Sequence, residues 1–292
     1  LAWTSVYRDP QSGRYQLWYQ AYTGDRAQDR SHRCVVCYAE SDDGIHFEKP
    51  ALDLFSFNDI ARTNIVLVGS GGHSLRYANS VVVDPRVSQG DGTLPDPSRR
   101  YKMAYFDFEK GDGCERPGLC TAFSPDGIHW TRYPWASEHV ARLFGVLAYL
   151  DEVPSGSVDP DAPYILYGQR GSRWKTRQIG RRDSRDFINW SSNRPVLESS
   201  LDHTPGSEFY HLQGAIINQT YGGLYLGMLG AYYADLRRKF DPSRNDGLTE
   251  CQLAYSRDTM RWARWDEPFI ARGDRGAFDW GGVYCGYPVV SG

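Results

Sequence analysis

The sequence predicts an all-β protein, and three observations carry that expectation. The first is composition. Of 292 residues, 20 are Tyr, 12 Phe, 9 Trp and 30 Gly, against 3 Met, a balance that suits pleated sheets and tight turns more than helices. The second is a phrase written four times: "SDDGIHF" from Ser41, "SPDGIHW" from Ser124, "SRDFINW" from Ser184 and "SRDTMRW" from Ser256. The third is that the text before each copy also repeats, as two or three strand-like runs separated by Asp-Pro or Gly turns. Copies spaced about 60 to 80 residues apart mark one sheet per repeat, and stacked sheets of that period read as a β-propeller.

Each unit can be justified in turn. The first, about 1–50, opens on "SVYRDPQSGRYQLWYQAY", an antiparallel pair around the Asp9-Pro10 turn, and continues through "CVVCYAE" into the Ser41 phrase. The second, about 75–134, repeats that layout with "SVVVDPRV" and "RRYKMAYFDF" before the Ser124 phrase. The third, about 139–198, offers "GVLAYLDE" and "APYILYGQR"; the fourth, about 207–271, offers "GAIINQTYGGLYLGMLGAYY". A fifth unit, 277–292, begins at "FDWGGVYCGYPVV" and stops after its first strand. The expectation is one domain over 1–292: a five-bladed propeller of four-stranded antiparallel blades, the last incomplete, so that either the chain is a fragment or Leu1 begins after residues that complete the ring. One blade cannot bury both its faces; a ring of them can.

The repeated phrase itself reads as architecture. Asp-Gly between two strands is a hairpin signal, because Gly takes positive φ without steric cost. Ser and Asp side chains cap turn N–H groups, and the aromatic that follows packs between blades. The phrase is similar to the Asp-box of sialidase-type propellers, one residue shorter. Asp43, Asp126, Asp186 and Asp258 are therefore assigned to the fold and not to chemistry.

Several function classes are disfavoured. The formal net charge is −3, so no basic field argues for nucleic acid or an anionic membrane. No apolar run approaches a membrane span. The seven His show no metal-ligand spacing, and neither a phosphate-cradling loop nor a serine-hydrolase elbow is present; no cofactor or metal is expected. Cys34 and Cys37 form a C-x-x-C on a strand, where residues three apart face opposite sides, so a structural role is expected. Cys114 and Cys120 flank a hairpin loop and could pair in an oxidising compartment. The sequence leaves localisation open, secreted or periplasmic included.

In a propeller, loops entering inner strands and the ends of second strands converge on one pocket. This filter selects Trp3, Arg76, Asn79, Arg142, Glu208, Tyr210, Gln213, Asp279 and Tyr284 from the first group, and Asp107, Gln169, Arg170 and Tyr232 from the second. Carboxylates, amides, arginines and aromatic rings together suit carbohydrate, whose hydroxyls need polar partners and whose C–H faces need rings. Glycoside cleavage needs two carboxylates, one protonated and one ionised. Glu208 is the expected general acid, with Asp279 or Asp107 as its partner.

The runs "RRYKMAYFDF…GLCTAFSPDGIHWTRYP", "RDSRDFINWSSNRPVL" and "NDGLTECQLAYSRDTMRWARWDEPFIARG" resemble the five-bladed propellers of glycoside hydrolase families 32, 43 and 68, closest to a family-32-like branch. The resemblance covers nearly the whole chain. It implies a glycosidase acting on a furanoside such as a fructoside or arabinoside, or on a related polysaccharide. It also implies a first-blade carboxylate, a second-blade Arg-Asp-Pro and a Glu-Cys acid/base. Here Asn79 stands where the second-blade carboxylate is expected, Arg8-Asp9-Pro10 lies at the far end of its strand, and Glu208-Phe209 enters the fourth inner strand. A non-catalytic carbohydrate-binding propeller is the alternative these departures leave open.

Overall fold

The computed structural model describes residues 2–22, 34–69, 77–84, 96–107, 118–133, 147–149, 161–171, 177–198, 207–218, 223–233 and 247–286. These residues form sixteen strands and no α-helix, and so no helix long and apolar enough to cross a membrane. The strands make four four-stranded antiparallel sheets in simple up-and-down order. The first holds β1 (Ala2–Arg8), β2 (Tyr15–Tyr22), β3 (Cys34–Ser41) and β4 (Ile65–Leu67); the second holds β5 (Tyr77–Val83), β6 (Tyr101–Asp107), β7 (Gly118–Ser124) and β8 (Thr131–Arg132). The third holds β9 (Leu147–Tyr149), β10 (Tyr164–Gly171), β11 (Arg177–Ser184) and β12 (Arg194–Leu197); the fourth holds β13 (Ser207–Asn218), β14 (Leu224–Tyr233), β15 (Leu248–Ser256) and β16 (Trp262–Ile270). Each sheet is a propeller blade in its connectivity.

The chain divides into two compact units. The first, Leu1–Leu143 with Ser184–Trp190, contains the first two sheets. Its core includes Trp18, Val36 and Tyr38 of one sheet and Val81, Tyr101 and Met103 of the other. The second, Phe144–Asp183 with Ser191–Gly292, contains the third and fourth sheets. Ile165, Tyr167 and Ile179 pack there against Phe209, Leu229 and Trp262.

The four repeated phrases form the same turn. In the second copy Ser124 Oγ accepts the amides of Asp126 and Gly127 at 3.2 and 2.8 Å. Asp126 Oδ1 accepts those of Ile128 and His129 at 2.8 Å each, and Oδ2 meets the His129 ring at 2.7 Å. Burial acts to raise the Asp126 carboxyl, but these donors outweigh it and hold it down at about 2. Asp43, Asp186 and Asp258 accept the corresponding amides in their own copies. The fourth residue of every copy has positive φ: Gly44 at 75°, Gly127 at 81°, Phe187 at 66° and Thr259 at 60°.

Two expectations need amendment. Four complete sheets are found where five blades were expected. The described part of the fifth unit, up to residue 286, forms no strand; it makes turns and one parallel bridge from Gly282 to Thr249. "GDRGAFDWGG" is turn-rich, and an inner strand with no second strand beside it leaves its own N–H and C=O groups unpaired. In the first unit, the short strand expected straight after the Ser41 phrase is a single bridge between Glu48 and Glu40, and the outer strand comes later at Ile65–Leu67. Cys34 and Cys37 are both buried on β3, and burial pushes the Cys37 thiol up to about 11, in keeping with a structural role. Cys114 lies outside the described residues.

Gly127 gives a direct test of the turn. A Cβ there would sit 2.6 Å from the Trp18 ring, whereas one at Gly223, also at positive φ (+75°), would meet nothing within 4 Å. Gly223→Ala should cost about 1–2 kcal/mol from backbone strain alone. Gly127→Ala should cost a further ~1–3 kcal/mol for overpacking, read as a lower urea midpoint. Equal losses in the two variants would refute the close packing of this turn.

Candidate functional site

The site is built on the fourth sheet, and its register decides which side chains share a face. Glu208 pairs with Tyr232, which pairs with Thr249; His211 pairs with Gly230, which pairs with Cys251. Side chains alternate along a strand, so these two rows lie on one face. Phe209, Ala231 and Leu229 lie on the other, where Phe209 and Leu229 join the core. Between Phe209 and His211 the register shifts, making Tyr210 an extra residue. A bulge of this kind re-aims a side chain, and the Tyr210 ring comes to 5.8 Å from Tyr232, 6.0 Å from His211 and 6.1 Å from Tyr284.

Glu208 is only 6% exposed. Its Oε2 accepts from the Arg177 guanidinium at 2.8 Å and from the Arg177 backbone amide at 3.3 Å. The same guanidinium lies 4.7 Å from the centre of the Tyr232 ring and 5.3 Å from that of Tyr210. Cation–π contacts of this kind contribute about 0.5–1 kcal/mol each when partly exposed. The result is a buried carboxylate beside a guanidinium set against two aromatic rings.

His211 is fully buried, and burial alone pushes its pKa down to about 4. Its ring fits because residue 230 is glycine: a Cβ there would fall 2.4 Å from His211 Cε1. Tyr284 stacks on the imidazole at 5.9 Å with an interplanar angle of 18°. The Tyr284 segment is fixed to the sheet next to that ring. Val283 N–H donates to Thr249 O at 3.0 Å, and Cys285 forms a disulfide with Cys251. A crosslink between residues 34 apart stabilises by ~3–4 kcal/mol on chain-entropy grounds.

The structure thus brings Glu208, Tyr210, Tyr232 and Tyr284 together in the second unit, with Gln213 buried on the same face of β13. Asp279 sits in a turn of the 271–286 segment, against Gly273, with no hydrogen bond to Glu208 or Arg177. In the first unit, Trp3 and Asn79 are buried at register shifts near the start of β1 and β5. Trp3 adopts φ 51°, and both amide atoms of Asn79 lack partners. Asp107 ends β6, and Gln169 and Arg170 lie on β10, but their side chains are outside the described residues, as are Arg76 and Arg142 altogether. Asp9 caps its turn by accepting from Ser12 at 2.8 Å. Among the described residues no group of three or more His, Cys, Asp or Glu gathers to hold a metal.

Arg177, His211, Gly230 and the Cys251–Cys285 pair were not among the expected site residues. Arg177 was within reach: the start of a third strand lies beside the end of the second, so it belongs in the same filter. The dipeptide Glu250-Cys251 has the Glu-Cys form that the resemblance implies. It lies on the third strand, where Glu250 takes a two-pronged ion pair from Arg272 at 2.9 and 3.1 Å and Cys251 is in the disulfide.

No family model matches the sequence, and no curated protein matches it. Solved structures do. An N-acetylgalactosamine deacetylase from F. plautii, in complex with blood group B trisaccharide, aligns with TM-score 0.61 at 13% identity, over 97% of this chain and 74% of that one. A glycosyl hydrolase from Bacteroides ovatus aligns with TM-score 0.58 at 19% identity, over 97% and 76%. A fructofuranosidase from Schwanniomyces occidentalis, complexed with fructose, aligns with TM-score 0.54 at 15% identity, over 89% of this chain and 44% of that one. The likeness is one of fold. That fold is the β-propeller.

The buried imidazole predicts a pH dependence. The folded-state pKa near 4 lies below the ordinary 6.5, so between those values the unfolded chain alone binds the proton. The contribution of neutral His211 is whole above pH 6.5 and is lost as pH falls toward 4, by up to ~3 kcal/mol. Urea midpoints at pH 7 and 4.5 should show a smaller drop for His211→Gln than for the native protein; equal drops would contradict the buried neutral ring.

Proposed function

We propose that this chain binds carbohydrate at the Glu208 cluster and hydrolyses an O-glycosidic bond there. The observation that carries the reading is the buried carboxylate of Glu208, set among Arg177, Tyr210, Tyr232 and Tyr284. Tyrosine rings offer flat apolar faces to sugar C–H groups, and phenols, guanidinium and carboxylate offer partners to hydroxyls. In this mechanism Glu208 protonates the leaving oxygen, while Asp279 or Asp107 acts as base or nucleophile. A pair about 5 Å apart gives retention, and one about 6.5–9.5 Å apart gives inversion. Trp3, Asn79, Gln213 and the residues outside the described set, Arg76, Arg142, Gln169 and Arg170, are the proposed hydroxyl contacts. A furanoside or related oligosaccharide is the proposed substrate class.

A second reading, a carbohydrate-binding propeller without catalysis, has its own support. Asn79 stands where the resemblance implies a carboxylate. The two readings separate in one experiment: a panel of aryl furanosides, aryl pyranosides and oligosaccharides, assayed for cleavage and by calorimetry. Cleavage that falls at least ~10²-fold in Glu208→Gln supports the hydrolase. Heat of binding without cleavage supports the second reading. Cleavage left intact in Glu208→Gln removes Glu208 from the acid role.

A further inference from the structure

The segment 271–286 returns across the fourth sheet on the same face as Glu208 and His211. The Tyr284 side chain is hydrogen-bonded to Thr249. Arg272 bonds Glu250 and the Trp280 carbonyl, Gly282 and Val283 bridge to Thr249, and Cys285 is bonded to Cys251. Little apolar burial helps: Phe278, Trp280 and Tyr284 are all exposed, Phe278 completely. Cys285 itself is 6% exposed. Immediately before it stands Tyr284, whose ring covers His211 and meets Tyr210. The covalent bond therefore helps to hold in place an aromatic wall of the site that β13–β16 do not supply.

We propose that the Cys251–Cys285 disulfide is a redox-dependent strap on this site: formed, it seats Tyr284 over His211 beside Tyr210; reduced, it lets the segment lift and opens that wall. Reduction needs a thiol donor. One thiolate of a small dithiol attacks a sulfur of the pair, and the other cysteine leaves as thiolate. The dithiol's second thiol then closes on the mixed disulfide. Two electrons and two protons pass to the cysteines, and the dithiol departs as a cyclic disulfide. The consequence for ligands rests on the carbohydrate reading above, since a site missing one of three tyrosine walls holds a sugar less tightly. The strap itself does not rest on it.

The test needs no ligand. Diethyl pyrocarbonate acylates exposed imidazoles, and the product is located by mass spectrometry after digestion. In the oxidised protein His46 and His129, both exposed, should be labelled and His211 protected. After treatment with dithiothreitol and iodoacetamide, His211 labelling should rise at least tenfold while His46 and His129 stay constant. Cys251→Ser with Cys285→Ser should give the same rise without reductant, and Tyr284→Ala should give it with the disulfide intact. A midpoint of urea unfolding well above the labelling conditions shows that each variant is folded. His211 that stays protected once both cysteines are alkylated overturns the strap, whatever the glycoside panel shows. His211 released by reduction in a protein that binds no sugar retains the strap and removes only its consequence.

Discussion

The structure turns on a backbone carbonyl. In the Ser124 turn, Gly127 O accepts the indole N–H of Trp18 on β2 at 2.7 Å and that of Trp130 at 2.9 Å. In the Ser256 turn, Thr259 O accepts the Tyr167 hydroxyl from β10 at 2.8 Å and the Trp262 indole at 3.0 Å. The same position therefore joins a ring from the second strand of the preceding sheet to a ring from its own turn. The carbonyl takes that position in a residue of positive φ, and the Ser and Asp side chains hold the residues around it. Buried indole and phenol donors cost free energy unless they are bonded. Fixing both on one acceptor ties the second sheet to the first and the fourth to the third.

Where the fourth position is not glycine, other groups support the strained backbone. Thr259 at φ 60° is buried, and its hydroxyl is bonded by Arg181. Arg181 is fully buried on β11 and is held in turn by Asp183 at 2.8 Å, which also receives Arg194. A buried ion cluster of this kind is weak evidence for net stability, because desolvation offsets most of its attraction. Its effect here is geometric: it fixes which way the Thr259 turn meets the third sheet. Phe187 uses another solution and buries its own ring against Phe123 and Trp190 at 6.1 and 5.4 Å.

The division between what the sequence revealed and what it hid follows from the kind of constraint involved. Strand order, the four turns and the structural role of their aspartates were legible because backbone geometry imposes the same residues each time. Glu208, Tyr210, Tyr232 and Tyr284 were expected together from their places in the repeat, and the second unit brings their side chains close to one another. The outer strand Ile65–Leu67 was misplaced because a long loop separates it from its turn, and no local pattern records loop length. The disulfide was invisible for a similar reason: neither Cys251 nor Cys285 has a spacing signal, and only the register of β15 brings one under the other. His211 reads as an ordinary strand residue until Gly230 is seen to leave room for it.

This contrast bears on how such a chain diversifies. A change at Gly127 or Thr259 disturbs two aromatic donors and the contact between two sheets at once. At the start of β13 the demands are different. A bulge at Tyr210, a glycine at 230 and an arginine from β11 each alter the cluster around Glu208 without touching Gly127 or Thr259. Bulges near the start of β1, β5 and β13 are the structural allowance for this, since an extra residue at a strand end re-aims a side chain while the ladder beyond it keeps its register. The proposed site accordingly draws on residues that do not repeat, and the residues that do repeat are those that build the turns between sheets.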